Sequence, residues 1–198
     1  MKHIKGDVLE SKADVIVHQV NCQGVMGAGL AKQIKEKYPV VFWAYKALCD
    51  EDKEMQLQTG QARTGLLGRI QVCYKDNYPI GRVEDPQVIV NLFAQDRYGR
   101  DGRCYTDYDA LRLCLEKVNQ RFAGRSVAVP YRMGCGLAGG NWNVVSEIIK
   151  ESLRDCDVLL YEFGKEQSAV DKTLAAAIER STEMAKQDAF GIVQARAL

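Results

Sequence analysis

Two glycine-rich stretches hold the residue types best suited to ligand chemistry. The first, residues 21–31 (NCQGVMGAGLA), has glycines at 24, 27 and 29. Without Cβ atoms at those positions a ligand can approach the backbone, and a helix beginning there offers unpaired N–H groups to an anion. A diphosphate suits such a surface. The spacing matches neither GxGxxG nor GxxxxGK[ST], which excludes the usual dinucleotide and nucleoside-triphosphate loops. The second stretch, residues 129–142 (VPYRMGCGLAGGNW), again runs from a strand end to a helix start. In a parallel sheet the carboxyl ends of the strands share one edge, so the two loops emerge on one rim and face each other across a cleft. Paired loops favour a ligand site over two unrelated tight turns.

Reactive side chains near these loops are few. His18 interrupts an apolar strand, DVIVHQVN. It reads either as a hydrogen-bonded core histidine or as a catalytic group. Strand alternation points His18 and Asn21 to opposite faces unless the strand end twists or bulges. Asp96 and Asp101, in the polar stretch AQDRYGRDGRC, are candidate acid–base groups or simply solvated loop residues. Cys135 has no histidine near it in sequence and suits a small residue in a backbone-lined loop better than a nucleophile. The two histidines, His3 and His18, form no ligand cluster with the dispersed cysteines, so neither a metal nor a cofactor is expected.

The elements that position these residues follow from periodicity. Short β-branched runs alternate with helical segments, the pattern of an α/β protein with a mostly parallel sheet covered on both faces. Strands are expected at 14–20, 68–74, 87–93, 125–130 and 157–163, with a short one at 2–5. Leu30, Ile34 and Tyr38 mark a helix over about 28–37, and Pro39 opens a second carrying Phe42, Tyr45 and Leu48. The spacings of Tyr108, Leu111, Leu115, Val118 and Phe122, and of Val145, Ile148, Ile149 and Leu153, predict two more. Residues 50–66 and 94–104 read as loops. Residues 165–198 carry a stripe from Val170 to Met184 and read as a helical extension, either packed on its own domain or serving self-association.

Composition narrows the function classes. Lysine and arginine number 27 against 26 acidic residues, and a net charge of +1 disfavours generic binding to nucleic acid. No apolar run approaches a membrane span, and the N-terminal residues lack the apolar core of a signal peptide. Seven scattered cysteines without a CxxC pair fit reduced thiols and a cytoplasmic protein.

At this point the chain resembles a known family. GDVLESKADVIVHQVNCQGVMGAGLA is similar to the first half of a macrodomain, and VPYRMGCGLAGGNW to that family's second ligand loop. The likeness runs over roughly residues 2–163. It is greatest to the branch of the ADP-ribose 1″-phosphate phosphatases, with terminal ADP-ribose glycohydrolases and DNA-acting antitoxin macrodomains nearby. The resemblance implies a three-layer α/β/α macrodomain over 1–164, with a mixed, mostly parallel six-stranded sheet, and an extension over 165–198. It places Asp7 and Val8 at the adenine and Asn21 at the distal ribose. Gly27, Ala28, Gly29 and Leu30 would line one side of the diphosphate, and Gly134, Cys135, Gly136 and Leu137 the other. Phe163, rather than Tyr161, would stack on adenine. His18 would serve as general acid or nucleophile, with Asn21 and Asp96 beside it. The lysine and aspartate used by terminal glycohydrolases are replaced by Gln95 or Asp96 and by Ala138. The implied activity is hydrolysis of a phosphate or ester group on the distal ribose of ADP-ribose. The alternative is a non-catalytic reader of ADP-ribose, a related NAD-derived signal or an ADP-ribosylated macromolecule.

Overall fold

The central strands are buried along almost their whole length because both of their faces are covered. β2 (Val15–Asn21) and β4 (Val88–Gln95) lie side by side in a six-stranded sheet of order β1-β6-β5-β2-β4-β3. The other strands are β1 (Lys2–Lys5), β3 (Ile70–Tyr74), β5 (Ser126–Pro130) and β6 (Asp157–Glu162). Every neighbouring pair is parallel except β3 with β4, which is antiparallel. The carboxyl ends of the five parallel strands therefore share one rim. The computed structural model describes residues 1–60, 65–75 and 87–164. The chain divides into two compact units, Met1–Glu162 and Phe163–Leu198. The helix expected over 165–198 lies outside the described residues.

Four helices complete the layers: α1 (Gly29–Lys37), α2 (Pro39–Thr59), α3 (Tyr108–Arg121) and α4 (Trp142–Ser152). On one face Val15, Val17, Val90 and Leu92 pack with Leu111 and Leu115 of α3 and Val145 and Ile149 of α4. On the other, Ile16 and Ile89 meet Ile34 of α1 and Val41 of α2, while Val20 and Phe93 meet Phe42 and Tyr45 of α2. Each such fully buried aliphatic side chain contributes about 1.5–3 kcal/mol. The architecture is the three-layer α/β/α sandwich expected from the sequence, with the mixed sheet supplied by the antiparallel edge strand.

One element departs from expectation. Residues 50–59, read as loop for their polarity, continue α2 for nearly three more turns. That stretch, DEDKEMQLQT, is rich in good helix formers. It is supported by side-chain pairs one turn apart, Lys46 with Asp50 and Gln56 with Asp52. Gly60, at φ +66°, ends the helix in the left-handed conformation.

Candidate functional site

The near wall of the cleft begins where β2 loses register. Val20 pairs with Phe93, but Asn21 pairs with Gln95, so one residue of β4 is skipped between them. At this irregularity the Asn21 side chain reaches Tyr45 of α2, on the side of the sheet that His18 shares with Ile16 and Val20. There the Tyr45 hydroxyl lies 2.8 Å from both the main-chain and side-chain oxygens of Asn21 and accepts from the Val25 N–H at 3.0 Å. Asn21 Nδ2 donates to the Val25 carbonyl (2.7 Å), and Oδ1 accepts from Gln23 N–H (2.8 Å). The Asn21 amide thus winds the loop around itself. Burial of the Tyr45 phenol raises its pKa well above the ordinary value. Beyond the loop, α1 starts at Gly29 with no side-chain cap. The N–H groups of its first turn have no acceptor within the helix.

The far wall is held from outside. Gly134, at φ +72°, directs its carbonyl to the Thr106 hydroxyl (2.7 Å) and the Gly140 N–H (2.9 Å). The N–H groups of Tyr105 and Thr106 donate to the Ala138 carbonyl. Cys135 turns its thiol to the Met133 carbonyl (3.3 Å), and burial raises its pKa.

Between the walls lies a cleft of about 530 Å³. His18 and Gln19 of β2 and Gln95 of β4 line it from below. His18 is 2% exposed. Its Nε2 is 2.6 Å from Asn91 Oδ1, and its buried Nδ1 has no partner in the protein. Burial lowers the His18 pKa to about 4, with the Asn91 hydrogen bond opposing the shift. The ring is therefore neutral at physiological pH and offers a lone pair rather than an acidic proton. Gln19 Nε2 donates to Gln95 Oε1 (2.9 Å) and Thr106 Oγ1 (3.0 Å), linking the floor to the far wall. Among the described residues that line the cleft there are two cations, Arg100 and Arg132, and no carboxylate. The electrostatics favour an anionic ligand.

Of the residues singled out in the sequence, His18, Asn21, Gly27, Ala28, Gly29, Leu30, Gly134, Gly136 and Leu137 come together around this cleft. Cys135, Asp7, Val8, Asp96 and Phe163 are not among its lining residues. Asp7 follows β1 on the same rim and caps a short 3-10 turn by accepting from Leu9 N–H (2.8 Å). Val8 is buried in the core beside α1. Asp96 carries an ion pair to Arg97 at 3.6 Å, and its carbonyl accepts from Cys22 N–H and from Gln23 Nε2. Asp101 is held by Arg103 and the Tyr105 hydroxyl, which together keep its carboxyl far below the usual range. Phe163 follows β6 and is half exposed.

The cleft also contains residues to which sequence reasoning gave no role: Gln19, Tyr98, Arg100, Tyr131 and Arg132. Tyr131 stacks on His3, with ring centroids 5.5 Å apart, and meets Trp142 edge-on at 4.8 Å. Arg132, at φ +57°, is the one left-handed non-glycine among the described residues. Its place immediately after strand-end Pro130 and Tyr131 was the available signal. The described residues contain no His, Cys, Asp and Glu group suited to a metal ion. They also contain no helix long and apolar enough to cross a membrane.

The sheet order and the two-walled cleft define an α/β ligand-binding module whose site sits on the rim of a parallel sheet, between two backbone-lined loops. No family model matches the chain. A DNA ADP-ribosyl glycohydrolase of Mycobacterium tuberculosis is 30% identical over 159 residues, 79% of this chain and 40% of that protein. An ADP-ribose 1″-phosphate phosphatase of Aspergillus fumigatus is 40% identical over 47 residues, 23% of this chain and 24% of that protein. Among solved structures, the macrodomain of Mycobacterium tuberculosis DarG superposes with a TM-score of 0.60 at 28% identity, over 81% of this chain and 95% of that one. The chain belongs to the macrodomain family. It spans about two-fifths of the length of the DNA glycohydrolases it matches.

Proposed function

We propose that the cleft binds ADP-ribose or a close derivative and that the protein hydrolyses a phosphate or ester group on the distal ribose. The observation that carries this reading is the cleft itself. Two backbone-lined loops face each other across it, arginines flank it, and a neutral histidine with a free ring nitrogen lies at its floor. The names of the related proteins, a DNA ADP-ribosyl glycohydrolase and an ADP-ribose 1″-phosphate phosphatase, support the same ligand class and a hydrolytic activity. The seven cysteines are present as thiols, which supports a cytoplasmic setting.

A second reading, a reader of ADP-ribose or of an ADP-ribosylated macromolecule, is favoured by a different observation. The resemblance assigns the lysine of terminal glycohydrolases to Gln95 or Asp96 and their aspartate to Ala138; Gln95 and Ala138 line the cleft, and no described carboxylate does. A calorimetric titration with ADP-ribose separates these readings when run beside two assays. One follows phosphate release from ADP-ribose 1″-phosphate, and the other follows ADP-ribose release from an ADP-ribosylated oligonucleotide. Binding with turnover in either assay supports the hydrolase. Binding without turnover selects the reader, and the absence of binding refutes both.

A further inference from the structure

The orientation of the His18 ring is set by a chain of hydrogen bonds that starts outside the cleft. The chain begins at a backbone carbonyl, Ala44 O on α2, which can only accept. Gln71 Nε2 on β3 donates to it at 3.0 Å. That fixes the Gln71 amide, whose Oε1 then accepts from Asn91 Nδ2 at 2.9 Å. The Asn91 amide is fixed in turn, and its Oδ1 faces His18 Nε2 at 2.6 Å. Since Oδ1 has no hydrogen to give, the proton must sit on Nε2. The remaining ring nitrogen, Nδ1, is an acceptor. It is buried without a protein partner, on a side chain 2% exposed that lines the cleft.

We infer that Asn91 is a positioning residue that locks His18 as the Nε2–H tautomer, and that Nδ1 receives a hydroxyl or N–H of the bound ligand. The inference rests on the cleft being the ADP-ribose site proposed above. It adds a rule of specificity. A lone pair at this depth repels an acceptor-only group such as a phosphate oxygen, so the floor takes a sugar hydroxyl and the diphosphate stays between the loops. A buried acceptor left unmatched also disfavours ligands lacking that donor.

Nitrogen-15 NMR of the imidazoles tests this directly. The chain has two histidines, so a His3→Asn variant assigns the signals. The free protein at neutral pH should show His18 with a protonated Nε2 and a bare Nδ1, and saturating ADP-ribose should move the Nδ1 resonance in the direction of an accepted hydrogen bond. Asn91→Leu should populate the other tautomer and weaken ADP-ribose binding about tenfold, the loss of roughly one oriented hydrogen bond. Gln71→Leu, at a partly exposed site outside the cleft, should populate the other tautomer too while leaving the fold intact. A wild-type His18 protonated on Nδ1, or an Nδ1 resonance indifferent to bound ADP-ribose, overturns the inference. Absence of calorimetric binding overturns the ligand assignment instead, a failure visible apart from the tautomer of the free protein.

Discussion

Gly134 and Gly136 stand two residues apart in the far wall, yet the structure predicts opposite consequences for adding one methyl group to each. At Gly134 an alanine would have to hold φ +72°, and its Cβ would lie 2.5 Å from Gln19 Oε1 and 3.0 Å from Thr106 Oγ1. The left-handed conformation costs a non-glycine residue about 1–2 kcal/mol. Relief of the clash must displace the Gln19 amide from Gln95 and Thr106, at about 1 kcal/mol for each hydrogen bond. Gly134→Ala should therefore destabilise the fold by about 3 kcal/mol, and for a chain of this size lower the melting temperature by roughly 6–12 °C. Gly136 has no positive φ, and a Cβ there meets nothing within 4 Å. Gly136→Ala should leave stability within about 0.5 kcal/mol of the parent. Its methyl group, however, stands in the cleft where a diphosphate would approach the backbone, and should weaken ADP-ribose binding about tenfold or more, about 1.4 kcal/mol. Thermal unfolding of both variants, with calorimetric titration at a temperature where both are folded, reads the two effects separately. A Gly134→Ala protein that melts with the parent, or a Gly136→Ala protein that binds as tightly as the parent, would refute the reasoning.

Acid should act on His18. Its pKa is 6.5 in the unfolded chain and about 4 in the fold, so between these values the unfolded state binds the proton and the native state does not. Stability then falls as pH drops from 6.5 to 4, by about 3 kcal/mol from this group. The stability difference between wild type and His18→Asn should shift by that amount across the window, and a pH-independent difference would contradict it. Tyr45→Phe should cost about 1–3 kcal/mol and speed hydrogen exchange at the Val25 amide, which would lose the nearer of its two acceptors and keep only Asn21 Oδ1 at 3.4 Å; unchanged exchange there would remove Tyr45 from the support of the loop. Cys135→Ser should leave hydrolysis of ADP-ribose 1″-phosphate within about twofold, because burial suppresses the thiolate a nucleophile needs. A loss of turnover would make the thiol catalytic.

The sequence revealed the fold wherever burial imposes a period. β2 and β4 read as strands because both of their faces are covered, and α3 and α4 because one stripe faces the sheet. The polar half of α2 was illegible for the complementary reason: beyond Cys49 it buries no stripe, so only propensity and side-chain pairs one turn apart mark it as helical. In the site, glycine spacing exposed both walls, but not which way the loop side chains turn. Arg132 lines the cleft in a left-handed backbone, and Asn21 reaches Tyr45 of α2 beside a register shift. Neither a sign of φ nor a register shift leaves a periodic trace. Tyr45 looked like one more core position of α2, because the loop it holds is 24 residues away in sequence.

The two walls are braced by separate sets of bonds. The near wall hangs on Asn21, Val25 and Tyr45. The far wall hangs on Gln19, Thr106 and the Gly134 carbonyl. These sets share no donor or acceptor, so the stability losses of Tyr45→Phe and Gly134→Ala should add to within about 0.5 kcal/mol in the double variant. Affinity should behave otherwise. A ligand held between the walls gains from each only while the other keeps it in place, so once one wall has loosened, loosening the second removes less binding than it would alone. A double-mutant cycle on ADP-ribose binding should show coupling where the cycle on unfolding shows none. Additive losses in both cycles would mean that the ligand rests on one wall alone.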